Sequence, residues 1–386
     1  MQEKASTTRT AILGFIALAT AMGIGRFAFT PLLPMMRTEE LLSVAAGGWL
    51  ATVHFLGYTM GAFLARYLTA SPGPALIASL TAIGVSTLGM GLTDSFPLWM
   101  LARWVAGVCS AFVLVLVSSY MVKRLAEARR PDLQGLVFAG VGAGIALVGL
   151  LTLGLMTGNA PSWLGWVVCG LVALGATAAI FWCGQESPEH MPPSAPGYSH
   201  LSGHLEWRII LPYGAMGMGY IIPATYLPLM AQEMVPSPLI FGWSWPIFGS
   251  AAVLSTVLVS RLTARMSDRY IWLISQNVMA VGLLLPALWT DLAAVIIGGI
   301  CVGSTFMVIT MTGIKEAHRV AGSRQVQVQV AAMTAAFAVG QMIGPAIAGV
   351  IYDVSGSFAY PLIMASGCLA LTAVLLLSSP AKAPQI

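Results

Sequence analysis

The sequence predicts an all-α integral membrane protein with twelve transmembrane helices, arranged as two parallel six-helix repeats. Hydrophobic residues make up 58% of the 386 residues and charged residues only 8%, whereas a soluble domain has roughly 25% charged residues. Apolar stretches of about 20 residues, the length that crosses the hydrocarbon core of a bilayer, recur along nearly the whole chain. A motif in the first stretch recurs near the middle of the chain, which indicates that one half is a divergent copy of the other.

Short polar or proline- and glycine-containing segments separate the apolar stretches and set the order of the predicted spans. Pro31 and Pro34 lie near the end of the first span and are expected to bend it. A charged connector at 123–134 follows the fourth span, and a short turn at 158–161 follows the fifth. The twelve predicted spans are 11–36, 47–66, 74–93, 96–122, 135–157, 162–183, 207–230, 239–261, 270–289, 292–314, 330–352 and 358–378.

A proline-rich segment after the sixth span divides the chain. It combines Pro188, Pro192, Pro193 and Pro196 with serine, glycine, glutamate and histidine, a composition typical of linkers. We therefore predict three parts. They are an N-terminal six-helix bundle at 1–183, a cytoplasmic linker at 184–206 and a C-terminal six-helix bundle at 207–386.

The repeat is clearest in the first and seventh spans. The frame AMGIGRFAFTPLLPMM at 21–36 recurs as AMGMGYIIPATYLPLM at 215–230, an offset of 194 residues. Six spans is an even number, so both halves have the same orientation, the plan of transporters that rock around a central site. The glycine pairs are expected to let helices approach closely. Further anchors match near the same offset: Gly48-Trp49 with Gly242-Trp243, and Gly140-x-x-x-Gly144 with Gly340-x-x-x-Gly344.

Basic residues lie mainly on one side of the predicted membrane. If the N-terminus is cytoplasmic, the outer loops hold only Arg37, and Arg26 and Arg103 lie within spans. This bias predicts a bacterial inner-membrane protein with both termini in the cytoplasm. It also accounts for the net charge of +4 without a nucleic-acid partner. The fifteen inner residues are Lys4, Arg9, Arg66, Lys123, Arg124, Arg129, Arg130, Arg208, Arg261, Arg265, Arg269, Lys315, Arg319, Arg324 and Lys382.

Other functional classes lack their sequence signatures. The five cysteines fall in apolar stretches without C-x-x-C spacing, which indicates neither a disulfide framework nor a zinc site. The sequence contains no H-E-x-x-H, no G-x-S-x-G and no Walker lysine. We therefore expect no enzymatic activity, no cofactor and no bound metal, and we expect the protein to work in the bilayer as a monomer.

Arg26 is the most informative single residue. An arginine near the centre of a bilayer costs about 2.5–3.5 kcal/mol on insertion scales, and such residues are functional hypotheses by default. The structural alternative is that loosened helix carbonyls near Pro31, or a neighbouring helix terminus, satisfy its guanidinium. Tyr220 occupies the equivalent position in the second half and is expected to face Arg26.

Arg103 and His54 are the other polar candidates within the spans. At 1.5 Å per residue they lie about 9 Å and about 12 Å from the outer ends of their spans. Arg103 could contact the substrate or take part in coupling. Alternatively, it could extend toward the outer surface or pair with Asp94. His54 is a candidate proton carrier because the ordinary pKa of histidine lies near neutrality, or else a hydrogen-bonded structural residue.

Acidic residues are absent from the middle of every predicted span. Asp94, Asp291 and Asp353 lie at outer helix ends, where they are expected to cap helices. Two cationic groups without central carboxylates make a cavity electropositive, which favours an anionic substrate over an organic cation. The aromatic residues expected to line this cavity are Phe29, Tyr58, Tyr220, Tyr226 and Trp243.

The segment at 23–31, GIGRFAFTP, resembles the first helix of the YbfB/YjiJ-like branch of the major facilitator superfamily, and the chain resembles that superfamily over essentially its whole length. The resemblance implies alternating access around a cavity lined by spans 1, 4, 7 and 10. Arg103 and Gly107 match an Arg-x-x-x-Gly signature whose arginine is associated with coupling or substrate contact. Two positions depart from the superfamily: Ala65 replaces an aspartate of the loop after span 2, and Ile145 replaces the proline of the antiporter signature.

Together these observations predict a secondary transporter that moves a small organic anion, a carboxylate, by alternating access. Arg26 would hold the anionic group, Tyr220 would face it, and Arg103 and His54 would be the candidates for coupling. The expected partners are therefore a small anionic molecule and the lipid bilayer. Two alternatives stay open: a proton-coupled exporter of drugs or metabolites, and a non-transporting membrane receptor built on a transporter fold.

Overall fold

The computed structural model describes residues 2–67, 71–128, 130, 132–184, 205–262 and 266–378, and every regular element in these ranges is helical. The predicted linker lies almost entirely outside the described residues. Arg129, Arg265 and Lys382 also lie outside them. The boundaries between the two predicted bundles therefore stay a prediction.

Helices α3, α4, α5, α7 and α8 of the first half begin within three residues of a predicted boundary, whereas α1 begins at Gln2, nine residues before the predicted start of the first span. Ser43 caps α3 by accepting a hydrogen bond from the backbone N–H of Ala46, and prolines stand in the first turn of α4 and α5. π-helical turns at Ala19–Arg26 and Val117–Met121 connect α1 to α2 and α5 to α6. The helices are α1 (Gln2–Leu18), α2 (Phe29–Thr38), α3 (Val44–Leu64), α4 (Pro72–Met90), α5 (Phe96–Leu116), α6 (Val122–Glu127), α7 (Asp132–Thr157) and α8 (Ser162–Cys183).

The second half uses side-chain caps at three helix starts. Glu206, Ser267 and Asp291 each accept a hydrogen bond from a backbone N–H of the first turn that follows. The cap predicted at Asp291 is thus confirmed. The helices are α9 (Trp207–Met234), α10 (Pro238–Phe241), α11 (Ser244–Leu262), α12 (Asp268–Leu288), α13 (Leu292–Ser355) and α14 (Ala359–Leu377).

Ten segments of the described residues are long and apolar enough to cross a membrane. Helices α3 and α9 contain 21 and 28 residues and are not among the ten. Helix α3 carries His54, and α9 has three prolines inside the helix. The ten segments and these two helices coincide with the twelve predicted spans. For α3 and α9, membrane crossing stays a prediction.

Helix α13 differs from the sequence prediction, because helical residues continue through the segment predicted to separate spans 10 and 11. The run nevertheless folds back on itself. Gly299 and Gly349 both lie against residues 226–227 near the end of α9, whereas Gly313 lies against Tyr213 near its start. The first part of α13 therefore runs along α9 in one direction and the second part returns along it, which gives the two antiparallel arms that the sequence predicts.

The first span is broken earlier than predicted. Instead of one helix bent at Pro31 and Pro34, the π-helical turn ends at Arg26 and α2 starts only at Phe29. Proline has no N–H to donate to the carbonyl four residues before it, and its ring crowds that carbonyl. The carbonyl of Phe27 accepts from the N–H of Thr30 at 3.2 Å instead. The break thus lies one turn before Pro31, in a π-helical segment of the kind often found at functional sites.

Glycines let α7 pack directly on the first span, as the repeat predicted. A Cβ at Gly140 would lie 2.3 Å from the carbonyl oxygen of Phe15, and one at Gly144 would lie 2.4 Å from that of Ala19. In the second half, a Cβ at Gly340 would lie 2.5 Å from the carbonyl oxygen of Gly214 on α9. Equivalent glycines therefore make equivalent close approaches in the two halves.

We expect Gly140→Ala to lower the thermal stability of the full-length protein in detergent. The new methyl group overlaps backbone of the neighbouring helix, and overpacking of this kind costs about 1–3 kcal/mol. Gly175→Ala in α8 is the matched control because nothing lies within 4 Å of its Cβ position. Replacing an unhindered glycine in a helix by alanine stabilises by roughly 0.5–1 kcal/mol. Equal shifts of the melting temperature in the two variants would contradict the close packing.

The two halves meet on the side of the molecule opposite the described chain ends, Gln2 and Ser378, which we call the distal side. There the N–H of Ala45 donates to the carboxylate of Asp353 at 3.2 Å. The hydroxyl of Tyr226 donates to the carbonyl of Pro345 at 2.8 Å and lies 3.4 Å from that of Val44. These contacts close the distal side. Its loops are 39–43, 91–95, 158–161, 235–237, 289–291 and 356–358.

Asp353 caps a helix of the other half rather than its own. Its carboxylate accepts from the first turn of α3, where a negative charge is stabilised by the helix dipole. We expect Asp353→Ala to raise amide exchange in residues 44–47 by about three- to tenfold, the effect of losing an N-terminal cap. Asp94→Ala removes the same charge from an exposed distal loop and should leave this exchange unchanged. Hydrogen–deuterium exchange with mass spectrometry would measure both variants.

Candidate functional site

Arg26 lies at the end of the first π-helical turn, and its side chain is buried at 8% exposure. A terminal nitrogen of its guanidinium donates a hydrogen bond to the hydroxyl of Tyr220, as the repeat predicted. Four aromatic rings surround the guanidinium carbon. Their centroids lie 4.9 Å away for Phe27 and Phe55, 5.2 Å for Tyr58 and 6.0 Å for Tyr220. Contacts of this type attract a cation without occupying its N–H groups.

Arg26 has no acidic partner among the residues that the structure describes. Among the described residues, the buried acid is Glu316, which is 1% exposed and pairs with Arg319 through two hydrogen bonds. Within the described residues, the Nε of Arg26 is buried and has no hydrogen-bond partner. The guanidinium is therefore held by aromatic faces and one hydroxyl, and it keeps donors for an acceptor that the described residues do not supply.

Tyr220 and Gln341 add further donors next to Arg26. Gln341, on α13, is 1% exposed, and its amide nitrogen donates to the same hydroxyl of Tyr220. A hydroxyl oxygen has two lone pairs, and both are used by these two bonds. The hydroxyl hydrogen of Tyr220 is thus left to donate elsewhere. The indole N–H of Trp245 is also buried without a partner among the described side chains and backbone.

Arg103 supports the broken first span. It is 3% exposed, and its two terminal nitrogens donate to the carbonyls of Gly25 at 3.1 Å and Arg26 at 3.0 Å. Its guanidinium also lies over the ring of Phe29, at 5.2 Å. Extension to the outer surface and pairing with Asp94 are therefore both wrong as predictions for Arg103. The loosened carbonyls proposed as a partner for Arg26 bind Arg103 instead.

His54 lies behind the site rather than in it. Its side chain is fully buried, and its Nδ1 lies 3.2 Å from the carbonyl oxygen of Arg103. A carbonyl can only accept, so Nδ1 carries the hydrogen and Nε2 the lone pair. The ring meets Phe55 edge-on at 5.4 Å. His54 therefore contacts the helix that carries Arg103, and its ring also contacts Phe55, which lies next to Arg26.

The other three predicted site residues lie apart from Arg26. Phe29 is buried against Trp166, with ring centroids 6.4 Å apart. Tyr226 is fully buried in the distal contact. Trp243 is 47% exposed in the turn between α10 and α11, so its expected place in the cavity is wrong. Trp245, two residues later, is fully buried and meets Phe27 at 5.8 Å.

A continuous set of rings, which we call the aromatic stack, lies beside Tyr220. The ring of Tyr220 is parallel to Phe306 at 5.3 Å and 7° and to Phe337 at 5.7 Å and 5°. Phe248 continues the stack at 5.8 Å from Phe306, and Trp245 lies 4.9 Å from Phe248. Sequence reasoning missed Gln341 and most of this stack. An amide in an apolar span, directly after Gly340, was the signal available for Gln341.

The site lies on the symmetry axis that relates the two halves. Arg26 contacts Tyr220, and Thr30 donates to the carbonyl of Ala224 at 2.5 Å, both across the repeat offset of 194 residues. Further out, Gln232 donates to Thr38 at 3.1 Å with the same offset. Residues that touch their own repeat equivalents must lie near the axis. The first and seventh spans therefore cross there, with Arg26 at the deepest of these contacts.

Comparison with known proteins agrees with this architecture. Residues 18–377 match the family model described as uncharacterised MFS-type transporter YbfB. The chain belongs to this transporter family. The resemblance of segment 23–31 to the YbfB/YjiJ-like branch is thus confirmed, and the protein is an MFS-type transporter in a multi-pass membrane fold.

Individual relatives of this MFS-type transporter support the fold. Two crystal structures of the nucleoside transporter NupG superpose with TM-scores of 0.76 (a point mutant) and 0.73, each at 12% identity and over 96% of this chain. They are covered over 99% and 98% of their own length. The uncharacterised MFS-type transporter YceJ of Bacillus subtilis (strain 168) is 31% identical over 101 residues. That match spans 26% of each chain, so this relative does not define a substrate.

Proposed function

We propose that the protein carries a small organic anion, a carboxylate, across a bacterial inner membrane by alternating access. The anionic group would bind at Arg26, with Tyr220 and Gln341 as further donors. The substrate would cross unchanged, without a chemical reaction or a cofactor. Both termini would lie in the cytoplasm, as the distribution of basic residues predicts, and the working unit would be a monomer.

The observation that carries the proposal is the excess of donors around a buried cation. The guanidinium of Arg26 has no carboxylate partner among the described residues, and its Nε is unpaired. Burial of a charged or polar group without a partner is costly. A carboxylate would supply both the missing charge and the missing acceptors, because it accepts up to four hydrogen bonds. An organic cation would instead add charge repulsion.

The position of Arg26 also suggests how binding could be coupled to movement. Its hydrogen bond to Tyr220 joins the two halves at their symmetry axis, in a conformation whose distal side is closed. A bound carboxylate would compete with Tyr220 for the guanidinium, and so would weaken one contact that holds the halves together. Arg103 would then act by positioning the backbone of Arg26, whose carbonyl it binds, and His54 by contacting the helix that carries Arg103.

Flux through proteoliposomes that contain the purified full-length protein tests the proposal. We expect uptake of radiolabelled acetate or benzoate above that of empty vesicles, with saturation by excess unlabelled acid. The parallel probes are tetraphenylphosphonium for the exporter alternative and uridine for a nucleoside activity like that named for NupG. Flux of either probe without flux of a carboxylate would contradict the proposal. Absence of all flux would favour the receptor alternative.

A further inference from the structure

Aromatic rings surround the guanidinium of Arg26. The rings of Phe27, Phe55 and Tyr58 have their centroids within 5.2 Å of its central carbon. The N–H groups of a guanidinium point outward in its own plane, where a carboxylate can accept two parallel hydrogen bonds. A carboxylate paired in this way lies in the plane of the guanidinium, next to the aromatic rings that surround it.

The two buried arginines differ in the donors that they can offer a ligand. Both terminal nitrogens of Arg103 already donate to the carbonyls of Gly25 and Arg26, which leaves its buried Nε unpaired. Two parallel hydrogen bonds to one carboxylate therefore require Arg26. A second carboxylate on the same molecule would lie among aromatic side chains without a partner, which is costly. The geometry thus favours a monocarboxylate over a dicarboxylate.

The rings next to Tyr220 and Arg26 differ in exposure. Phe55, Tyr220 and Phe306 are buried at 3%, 2% and 6% exposure. Tyr58 and Phe337, by contrast, are partly exposed. They lie on α3 and α13, one in each half, and Phe337 is parallel to the fixed ring of Tyr220. A flat molecule can stack on these faces, whereas a puckered one contacts them poorly.

We propose that the substrate at this site is an aromatic monocarboxylate, with its carboxylate on Arg26 and its ring against Tyr58 and Phe337. The inference rests on the proposed function and narrows its substrate class. A carboxylate conjugated to an aromatic ring is coplanar with it, so its anionic end can pair in the plane of the guanidinium while its ring contacts the partly exposed side chains of Tyr58 and Phe337. Benzoate is the simplest molecule of this class.

The test compares ligands that differ only in shape or charge. Binding of benzoate, cyclohexanecarboxylate, acetate and benzamide to the full-length protein in detergent would be measured by thermal shift. Cyclohexanecarboxylate keeps the charge and size of benzoate but has a puckered ring, and benzamide keeps the flat ring without the charge. We expect benzoate to bind about two- to tenfold more tightly than cyclohexanecarboxylate, the range of one aromatic stacking contact. Benzamide should bind more weakly than either of these two acids.

Variants of Phe337 show whether the preference arises at this site. Phe337→Leu should remove the preference for benzoate over cyclohexanecarboxylate while both acids still bind. Phe337→Tyr keeps a flat ring and should keep the preference, which separates stacking from a general folding defect. Phe181→Leu makes the same change at a side chain that is 47% exposed, and it should leave the preference intact.

The outcomes separate this inference from the proposed function. Equal binding of benzoate and cyclohexanecarboxylate to the parent protein would overturn the aromatic substrate class and leave a carboxylate carrier. A preference that persists in Phe337→Leu would also overturn it, because the ring would then be recognised elsewhere. If benzamide binds as tightly as benzoate, or if none of the acids binds, the site does not recognise an anion. Either result would overturn the proposed function as well.

Discussion

Arg26→Gln should weaken the binding of benzoate and acetate by about thirtyfold to several thousandfold. Removal of one partner of a buried, hydrogen-bonded charge pair costs about 2–5 kcal/mol, and every 1.4 kcal/mol is a tenfold change in Kd. The glutamine amide keeps a donor near Tyr220 but has neither the charge nor the forked N–H geometry of a guanidinium. Thermal-shift titration of the purified full-length protein would measure the loss.

The same substitution should leave the stability of the ligand-free protein unchanged or slightly higher. Arg26 lies in a membrane span, where an arginine is unfavourable by about 2.5–3.5 kcal/mol on insertion scales. Its removal leaves the Tyr220 hydroxyl with the donor from Gln341. Groups held for function are commonly neutral or costly for stability. A purely structural arginine would behave in the opposite way.

Arg37→Gln is the control for the charge. Arg37 lies on α2, the helix that follows Arg26, and its guanidinium is 5.6 Å from the ring centroid of Tyr352 near the distal surface. The variant has the same net charge as Arg26→Gln but leaves the site intact. Equal loss of carboxylate binding in both variants would show that overall charge, not the site, attracts the anion. A large fall in melting temperature for Arg26→Gln with binding retained would make Arg26 structural.

The fold could be predicted because the membrane restricts it strongly. Any span must satisfy its backbone hydrogen bonds internally, so an apolar stretch of sufficient length becomes a helix. The repeat offset then placed Tyr220 opposite Arg26 from the sequence alone, because residues on a two-fold axis meet their own equivalents. The sequence analysis placed the break in the first span one turn too late. A proline disturbs the hydrogen bond of the carbonyl four residues before it rather than the backbone at its own position.

The rest of the site depends on contacts between segments far apart in the chain. Arg103 is separated from its acceptors by 77 and 78 residues, and Gln341 from Tyr220 by 121 residues. Depth along a helix can be estimated from the sequence, but the direction of the side chain around the helix cannot. For the same reason the sequence analysis selected Trp243, which is exposed, instead of Trp245, which lies two residues later and is buried.

Arg103→Leu should destabilise the protein by about 2–6 kcal/mol. The leucine fills part of the same space but leaves the carbonyls of Gly25 and Arg26 without the donors that now reach them at 3.1 and 3.0 Å. Each buried polar group left unsatisfied costs about 1–3 kcal/mol. The disturbed backbone is that of Arg26, so binding of benzoate should weaken as well. Chemical unfolding in detergent and thermal-shift titration would measure the two effects.

The variant Arg103→Lys separates the positioning role of Arg103 from a role of its charge. A lysine at this position would keep the positive charge but replace two donors in a fixed fork with one flexible ammonium. If Arg103 acts by holding the two carbonyls, Arg103→Lys should therefore lie between the parent and Arg103→Leu in both stability and benzoate binding. If only the charge mattered, the lysine variant would match the parent. Ser110, on α5, donates a hydrogen bond to the carbonyl of Ala21 at 3.0 Å. Ser110→Ala should therefore lower stability less than Arg103→Leu, because one carbonyl instead of two loses its donor. The hydrogen bonds of Arg103 next to the break in the first span are kept in this variant.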